Sequence, residues 1–449
     1  MKINYPYCLK LSMNCENKVK EPQLVIWEKS GERFEKNDWT FNGASTRQLT
    51  HCYHDYPARM IPQISDKLLK LFGYNAKTLF DPYCGTGTSL VEGMIKGLNV
   101  YGTDLNPLAR LIAQAKTTLP DLEQLDKQIN RINKFALIEK KKPAEHKTTI
   151  SGINDLNFWF KKDVIEKLYQ IREQIQSITE ESIRIFFDVV FSETVRECSN
   201  TRNDEFKLYR YNPSQLENYN PNVFASITQK IQRNRIGLQN FYDIIRSLKS
   251  APISQIFDFN TVVAIPKSII PDNSIDIVIT SPPYGDSHTT VAYGQYSRLS
   301  AAWLGLSEPE KVDRNLMGGK VIKKQITFPC EELNFAINQI NSIDEKRSME
   351  VSSFYQDLFL SISNVGKVIK PFGYACYVIG NRKVKGIELP TDRAVRDFFT
   401  HYGFDYVDTF TRSIPNKRMP LKNSPTNEPG INENTMTKEY VVVMRKKYH

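Results

Sequence analysis

The chain has 449 residues, 40% hydrophobic, 11% aromatic and 24% charged, with 21 glycines and 23 prolines; this mix excludes collagen-like, disordered and low-complexity chains and suits two or three globular domains. Sixty Lys and Arg against 50 Asp and Glu leave a formal charge of +10, which favours a polyanionic partner. The seven cysteines include no CxxC pair, and His51, Cys52 and His54 lack a second ligand pair at zinc-site spacing, so neither disulfides nor a metal site are expected.

Residues 1–45 read as an N-terminal extension. They have no apolar core or small-residue cleavage site, and no stretch of the chain is apolar enough to span a bilayer, so a cytoplasmic protein is expected. Leu68, Leu69 and Phe72 form one apolar helical face behind Pro62. A strand at 78–80, a helix through Leu90, Val91, Met94 and Ile95, and a strand at 100–103 complete a first half-domain over 46–120. From 121 to 250 the periodicity is helical, as in Val164, Ile165, Leu168, Ile171 and Ile175. Residues 251–449 return to strands at 256–259, 275–280, 374–379, 406–410 and 440–444. The alternation implies an α/β fold, a doubly wound, mostly parallel sheet with a mainly helical insertion. Within the insertion, residues 196–235 carry seven Lys and Arg against four Asp and Glu, interleaved with five Phe and Tyr. That composition suits a nucleic-acid surface, with Arg202, Lys207, Arg210, Arg233 and Arg235 as candidate contacts. Basic stretches at 311–324 and 412–422 add Lys320, Lys417 and Arg418.

Two segments carry chemistry. In residues 77–93 a strand runs into Asp81, turns through Gly85 and Gly87 and enters a helix, aiming backbone N–H groups and a positive helix end at a ligand. A second strand ends in Asp104, 23 residues on, close to the offset at which an acid meets ribose hydroxyls. Leu90 stands where a dinucleotide fingerprint needs a third glycine, and no P-loop is present. Asp81 suits an ammonium, while the turn amides and Thr88 suit a carboxylate; S-adenosylmethionine fits both ends. In residues 273–290 a buried-strand pattern stops at Ser281, Pro282, Pro283 and Tyr284. The prolines fix the backbone, so a carbonyl and the Ser281 hydroxyl can accept from an exocyclic amine while Tyr284 offers a ring for stacking.

The sequence resembles the S-adenosylmethionine-dependent DNA methyltransferases that modify exocyclic amines, and within them the cytosine-N4 enzymes of restriction-modification systems. DPYCGTGT is similar to their cofactor motif and SPPY to their catalytic tetrapeptide; residues 50–69, 365–381 and the C-terminal region follow in the family's order. The resemblance implies a class I methyltransferase sheet with an antiparallel last strand, and target recognition in the 121–250 insertion. It implies double-stranded DNA as substrate and a cognate restriction endonuclease as functional partner. It implies cofactor contacts from His54, Tyr56, Pro57, Asp81, Tyr83, Gly85, Gly87, Thr88 and Asp104, with Asp258 on the adenine side unless Asn260 takes that place. The catalytic residues it implies are Ser281, Pro282, Pro283 and Tyr284, acting on a cytosine rotated out of the duplex. Adenine N6 is the alternative target, and a catalytically silent DNA-binding subunit the alternative of another class. Carbon-5 methylation would need a cysteine nucleophile after a proline, and Pro329-Cys330 is the only such pair; a loop cysteine is the expected reading. His288 and Arg298 are further candidates for DNA contact, and Trp303 for the core.

Overall fold

The computed structural model describes residues 39–57, 59–137, 149–203, 207–285, 293–307, 312–414, 422–423, 433–434 and 437–448. Seven strands form the main sheet: β1 (Thr78–Asp81), β2 (Asn99–Thr103), β3 (Ser254–Phe257), β4 (Ile275–Thr280), β5 (Ile369–Ile379), β6 (Phe404–Ser413) and β7 (Lys438–Lys446). Their order is β3-β2-β1-β4-β5-β7-β6. The first five strands run parallel, and β7 is antiparallel to both neighbours. This is the class I methyltransferase arrangement that the resemblance implies. The carboxyl ends of β1 to β5 share one edge, and the strand order reverses between β1 and β4, where open α/β sheets place their ligands.

Helices cover both faces of the sheet, and the runs 277–280 of β4, 375–379 of β5 and 441–444 of β7 are buried on both. Alternation sorts the side chains. Ile277 and Ile279 of β4 and Val441 and Val443 of β7 face a core with α1 (Pro62–Phe72) and α2 (Thr88–Ile95). Val278, with Val442 and Met444, belongs to the opposite core, as does Ile275, which lies across a register shift from Ile277. There they meet the later helices α9 (Glu331–Ile343), α10 (Glu345–Val368) and α11 (Thr391–His401). Trp39 is 1% exposed and stacks on Phe410 at 4.8 Å, so the first described residue is already part of a core.

Between β2 and β3 lie α3 (Pro107–Thr117), α4 (Leu122–Leu137), α5 (Lys162–Gln176), α6 (Glu181–Cys198) and α7 (Val223–Ser247), and α8 (Tyr293–Leu304) follows β4. The insertion is not walled off from the sheet domain. Its core continues through Leu108 and Ile112 of α3 and Leu299 and Trp303 of α8. Trp303 is fully buried against Phe160, Tyr169 and Phe191, as its helical spacing predicts. No described helix is long and apolar enough to cross a membrane. The five cysteines among the described residues are buried and unpaired.

Candidate active site

At the carboxyl edge β1 delivers Asp81 into a turn that Gly85 and Gly87 make with φ of +48° and +74°. A Cβ on Gly87 would stand 3.0 Å from the Cβ of Ala113 on α3, so close helix packing and a left-handed backbone both require glycine there. At Gly85 nothing stands within 4 Å of the Cβ position. There the left-handed backbone, not crowding, favours glycine. Asp104 receives the Gly85 amide at 3.0 Å and the Asn106 amide at 2.8 Å, fixing the second acid beside the turn, and burial raises its pKa.

Asp81 is 3% exposed. It accepts from Ser89 Oγ, from the Tyr83 amide at 3.1 Å and from Thr280 Oγ1 at 2.5 Å. Burial still dominates these donors and pushes its carboxyl up to about 6. A cation brought to this carboxylate would restore the ionised form.

A solvent-open cleft lies at this edge. Its walls bring together Tyr56, Pro57, Asp81, Tyr83, Gly85, Thr88, Asp104, Asn260, Ser281 and Pro283. Not every expected residue reaches it. His54 is fully buried, its ring edge-on to Tyr56 and Tyr296, and lies behind the wall. Gly87 supports the turn from behind. The Asp258 side chain is 79% exposed, with Arg110 at 4.0 Å; β3 ends at Phe257, and Thr103 Oγ1 donates to the Phe259 carbonyl at 2.7 Å. The chain therefore turns one residue too early for Asp258 to face inward, and Asn260 takes the wall position. Pro282 is buried beneath Ser281 and Pro283. Tyr284 stands beyond the cleft lining, half-buried, with its hydroxyl bonded to Ser281 and Glu439.

Sequence reasoning missed Arg59 and Tyr293, which also line the cleft. Arg59 Nη1 donates to the His51 and His54 carbonyls at 3.1 and 2.9 Å, and no carboxylate among the described residues pairs with it. Burial and the neighbouring Arg47 lower its guanidinium to about 10. Nearby, Lys116 is fully buried with its ammonium on Thr86 Oγ1 at 3.2 Å. A basic side chain near the cofactor turn could have been suspected from Arg59, two residues after Pro57. Tyr293 lies 6.0 Å from Tyr56, nearly parallel to it.

Two candidate DNA contacts are committed elsewhere. Arg233 holds Glu193 at 2.5 Å and the Tyr53 carbonyl at 2.9 Å, and Arg235 grips both oxygens of Asp126 at 2.7 and 2.9 Å. Both stitch α7 to its surroundings, which corrects the expectation of free phosphate-binding groups. Lys207 and Lys320 are exposed and Arg202 half-buried. Arg210 lies over the Phe158 ring at 4.5 Å and donates to the Phe158 carbonyl at 2.9 Å. Lys417, Arg418 and His288 lie outside the described residues. Arg298 is half-buried on α8. Asn381, at the end of β5, bonds Asp392 rather than the cleft. Cys330 caps α9 inside a core, its thiol pushed up to about 12 by burial, and is absent from the cleft wall, so it is no nucleophile here. Cys84 lines the turn, but burial raises its thiol well above the ordinary range.

Similarity to known proteins agrees with this geometry. The type II methyltransferase M.MvaI of Kocuria varians is 42% identical over 425 residues, covering 91% of this chain and 93% of that one. The chain belongs to the type II DNA methyltransferases of restriction-modification systems. A second member, M.BsoBI of Geobacillus stearothermophilus, is 22% identical over 85% of the methyltransferase chain and 75% of its own. A family model described as an RMKL-like methyltransferase domain matches residues 47–152. Among solved structures, the rRNA methyltransferase AviRa of Streptomyces viridochromogenes covers 87% of both chains at 10% identity and a TM-score of 0.30. The cofactor of the methyltransferase is S-adenosylmethionine, and its residues fit that group: a glycine turn, a buried carboxylate and a guanidinium that no carboxylate pairs with among the described residues.

Proposed function

We propose that the methyltransferase modifies N4 of a cytosine rotated out of duplex DNA, and so protects its site from a cognate restriction endonuclease in the same cytoplasm. The observation that carries this reading is the meeting of Ser281 and Pro283 with Gly85 and Asp104 on one cleft wall. Cofactor turn and catalytic tetrapeptide are thereby in reach of one reaction. The serine form of the tetrapeptide favours cytosine, by its resemblance to the N4 enzymes.

S-adenosylmethionine supplies an electrophilic methyl group on a sulfonium. When bound, its ribose hydroxyls would be held by Asp104, its cationic amino-acid end by Asp81, and its carboxylate by Arg59 with Thr86 and Thr88. An exocyclic amine is a weak nucleophile because its lone pair is conjugated with the ring. Ser281 Oγ and the Pro282 carbonyl accept its two N–H groups and return electron density to the nitrogen, and a rigid Pro-Pro backbone holds these acceptors at fixed geometry. Tyr56 and Tyr293, which line the cleft, supply ring faces for an unstacked base. Lys207, Lys320, Arg202 and Arg210 contribute phosphate contacts from the insertion and the loop after α8.

Nucleoside mass spectrometry tests the reading. Duplex DNA of mixed sequence, incubated with protein and cofactor, should yield N4-methyldeoxycytidine. N6-methyldeoxyadenosine instead would move the reaction to adenine, and bound but unmodified DNA would point to a silent subunit.

A further inference from the structure

Behind the tetrapeptide lies a chain of polar groups that the cofactor chemistry does not use. Ser281 Oγ stands 3.2 Å from Tyr284 Oη, and Tyr284 Oη stands 3.0 Å from Oε1 of Glu439. The other carboxylate oxygen of Glu439 is held by Nη1 of Arg412 at 2.8 Å. Glu439 and Arg412 are directly opposed on the antiparallel strands β7 and β6, and their side chains are only 15% and 7% exposed. The sheet register therefore fixes the far end of the chain.

A carboxylate accepts and cannot donate, whereas each hydroxyl owns one hydrogen. Tyr284 must therefore spend its hydrogen on Glu439. Its remaining lone pairs face Ser281, which spends its own hydrogen on Tyr284. The direction matters at the near end. A serine whose hydrogen is committed backwards meets the cleft with lone pairs alone, as an N–H group of the substrate requires; a serine free to rotate could instead aim its hydrogen at the amine and block it.

We propose that Glu439, anchored by Arg412, is a positioning residue that sets the direction of the Ser281–Tyr284 chain and so keeps Ser281 an acceptor for the target amine. The proposal rests on the catalytic reading of the tetrapeptide given above. Burial and the facing Glu439 carboxylate raise the Tyr284 hydroxyl well above its ordinary pKa, consistent with a tyrosine that stays a donor throughout the pH range of activity. No atom of Glu439 touches substrate. Its effect passes through two hydroxyls, and this makes it separable from a plain strand-to-strand ion pair.

The test is a double-mutant cycle in single-turnover methylation with the full chain. Glu439→Gln introduces an amide that can donate to Tyr284 and let the chain run backwards. It should slow methyl transfer roughly tenfold or more while leaving cofactor affinity within about twofold, and it should cost little further in a Ser281→Ala background, where no hydroxyl remains to be directed. Equal slowing in both backgrounds, or none in either, overturns the proposal. Tyr284→Phe keeps the ring and removes only the hydroxyl, so it repeats the cycle with the same criterion should Glu439→Gln fail to fold. A parent protein that yields no methylated nucleoside overturns the proposed reaction and this role together; a parent that methylates while the cycle is additive overturns this role alone.

Discussion

Thr280 Oγ1 donates to Asp81 Oδ1 at 2.5 Å, so the residue that leads into the catalytic tetrapeptide also steadies the carboxylate that opens the cofactor turn. The two strands are parallel neighbours, and the bond closes the gap between them at the cleft floor. Thr280→Val removes one of three donors to Asp81 and should raise its carboxyl further above about 6. A cationic cofactor prefers the ionised form, so affinity should rise as pH rises through about 6 and level off above it. Calorimetry should find cofactor binding by Thr280→Val weakened roughly tenfold near neutral pH and recovering at higher pH. Asp81→Asn should lose both the affinity and its pH dependence. A wild-type affinity independent of pH between 5 and 8 would remove Asp81 from the cationic end.

Arg59 gives a sharper test of the opposite end. Arg59→Met keeps the apolar stem at the cleft wall and deletes the charge. It should weaken S-adenosylmethionine at least tenfold, in line with a charge-assisted bond, and leave decarboxylated S-adenosylmethionine unchanged. Equal losses for both ligands would mean that the side chain shapes the wall without meeting the carboxylate.

Pro282 is buried behind the two cleft-lining members of its tetrapeptide and has no N–H to give. Pro282→Ala should therefore retain cofactor and DNA binding while turnover falls by tenfold or more, read by steady-state rates beside filter binding.

Beneath α2, His51 Nε2 and Glu92 Oε1 lie 2.9 Å apart in a buried pair. Burial raises Glu92 from 4.5 to about 8 and holds His51 neutral. A carboxyl whose folded value is raised contributes its full stability below about 4.5 and loses it as pH climbs toward 8. Glu92→Gln keeps an acceptor for His51 and has no proton to lose. Its advantage over the parent in thermal melts should grow from near zero at pH 5 to on the order of 1–3 kcal/mol at pH 8. A constant difference across that range would contradict the assignment.

Much of the architecture was legible because it rests on local patterns. The 275–280 run emerged as β4, since a β-branched run bounded by Asp272-Asn273 on one side and Pro282-Pro283 on the other marks its own ends. β3 was misplaced by two residues: it is an edge strand paired with β2 alone, and Phe257 and Phe259 look alike in sequence although only the first belongs to the ladder. That shift put Asp258 at the site in place of Asn260. The glycine turn and the tetrapeptide were readable from composition and spacing. Arg59, Glu439 and the fates of Arg233 and Arg235 were not, because each depends on a partner supplied by another element. Seven basic residues in a row of forty look alike in composition until the fold shows which carboxylates stand beside them.

β1 and β4 are hydrogen-bonded neighbours, yet 198 residues separate Thr78 from Asp276. On a ribosome adding ~5–20 residues per second, β1 waits roughly 10–40 s for its partner. The helices encoded in that interval need mainly near neighbours in sequence and can collapse while synthesis continues. A nascent chain therefore carries most of a packed helical region well before it has a cleft floor, and a ribosome that stalls in the interval releases a product whose cofactor turn lacks its neighbouring strand β4.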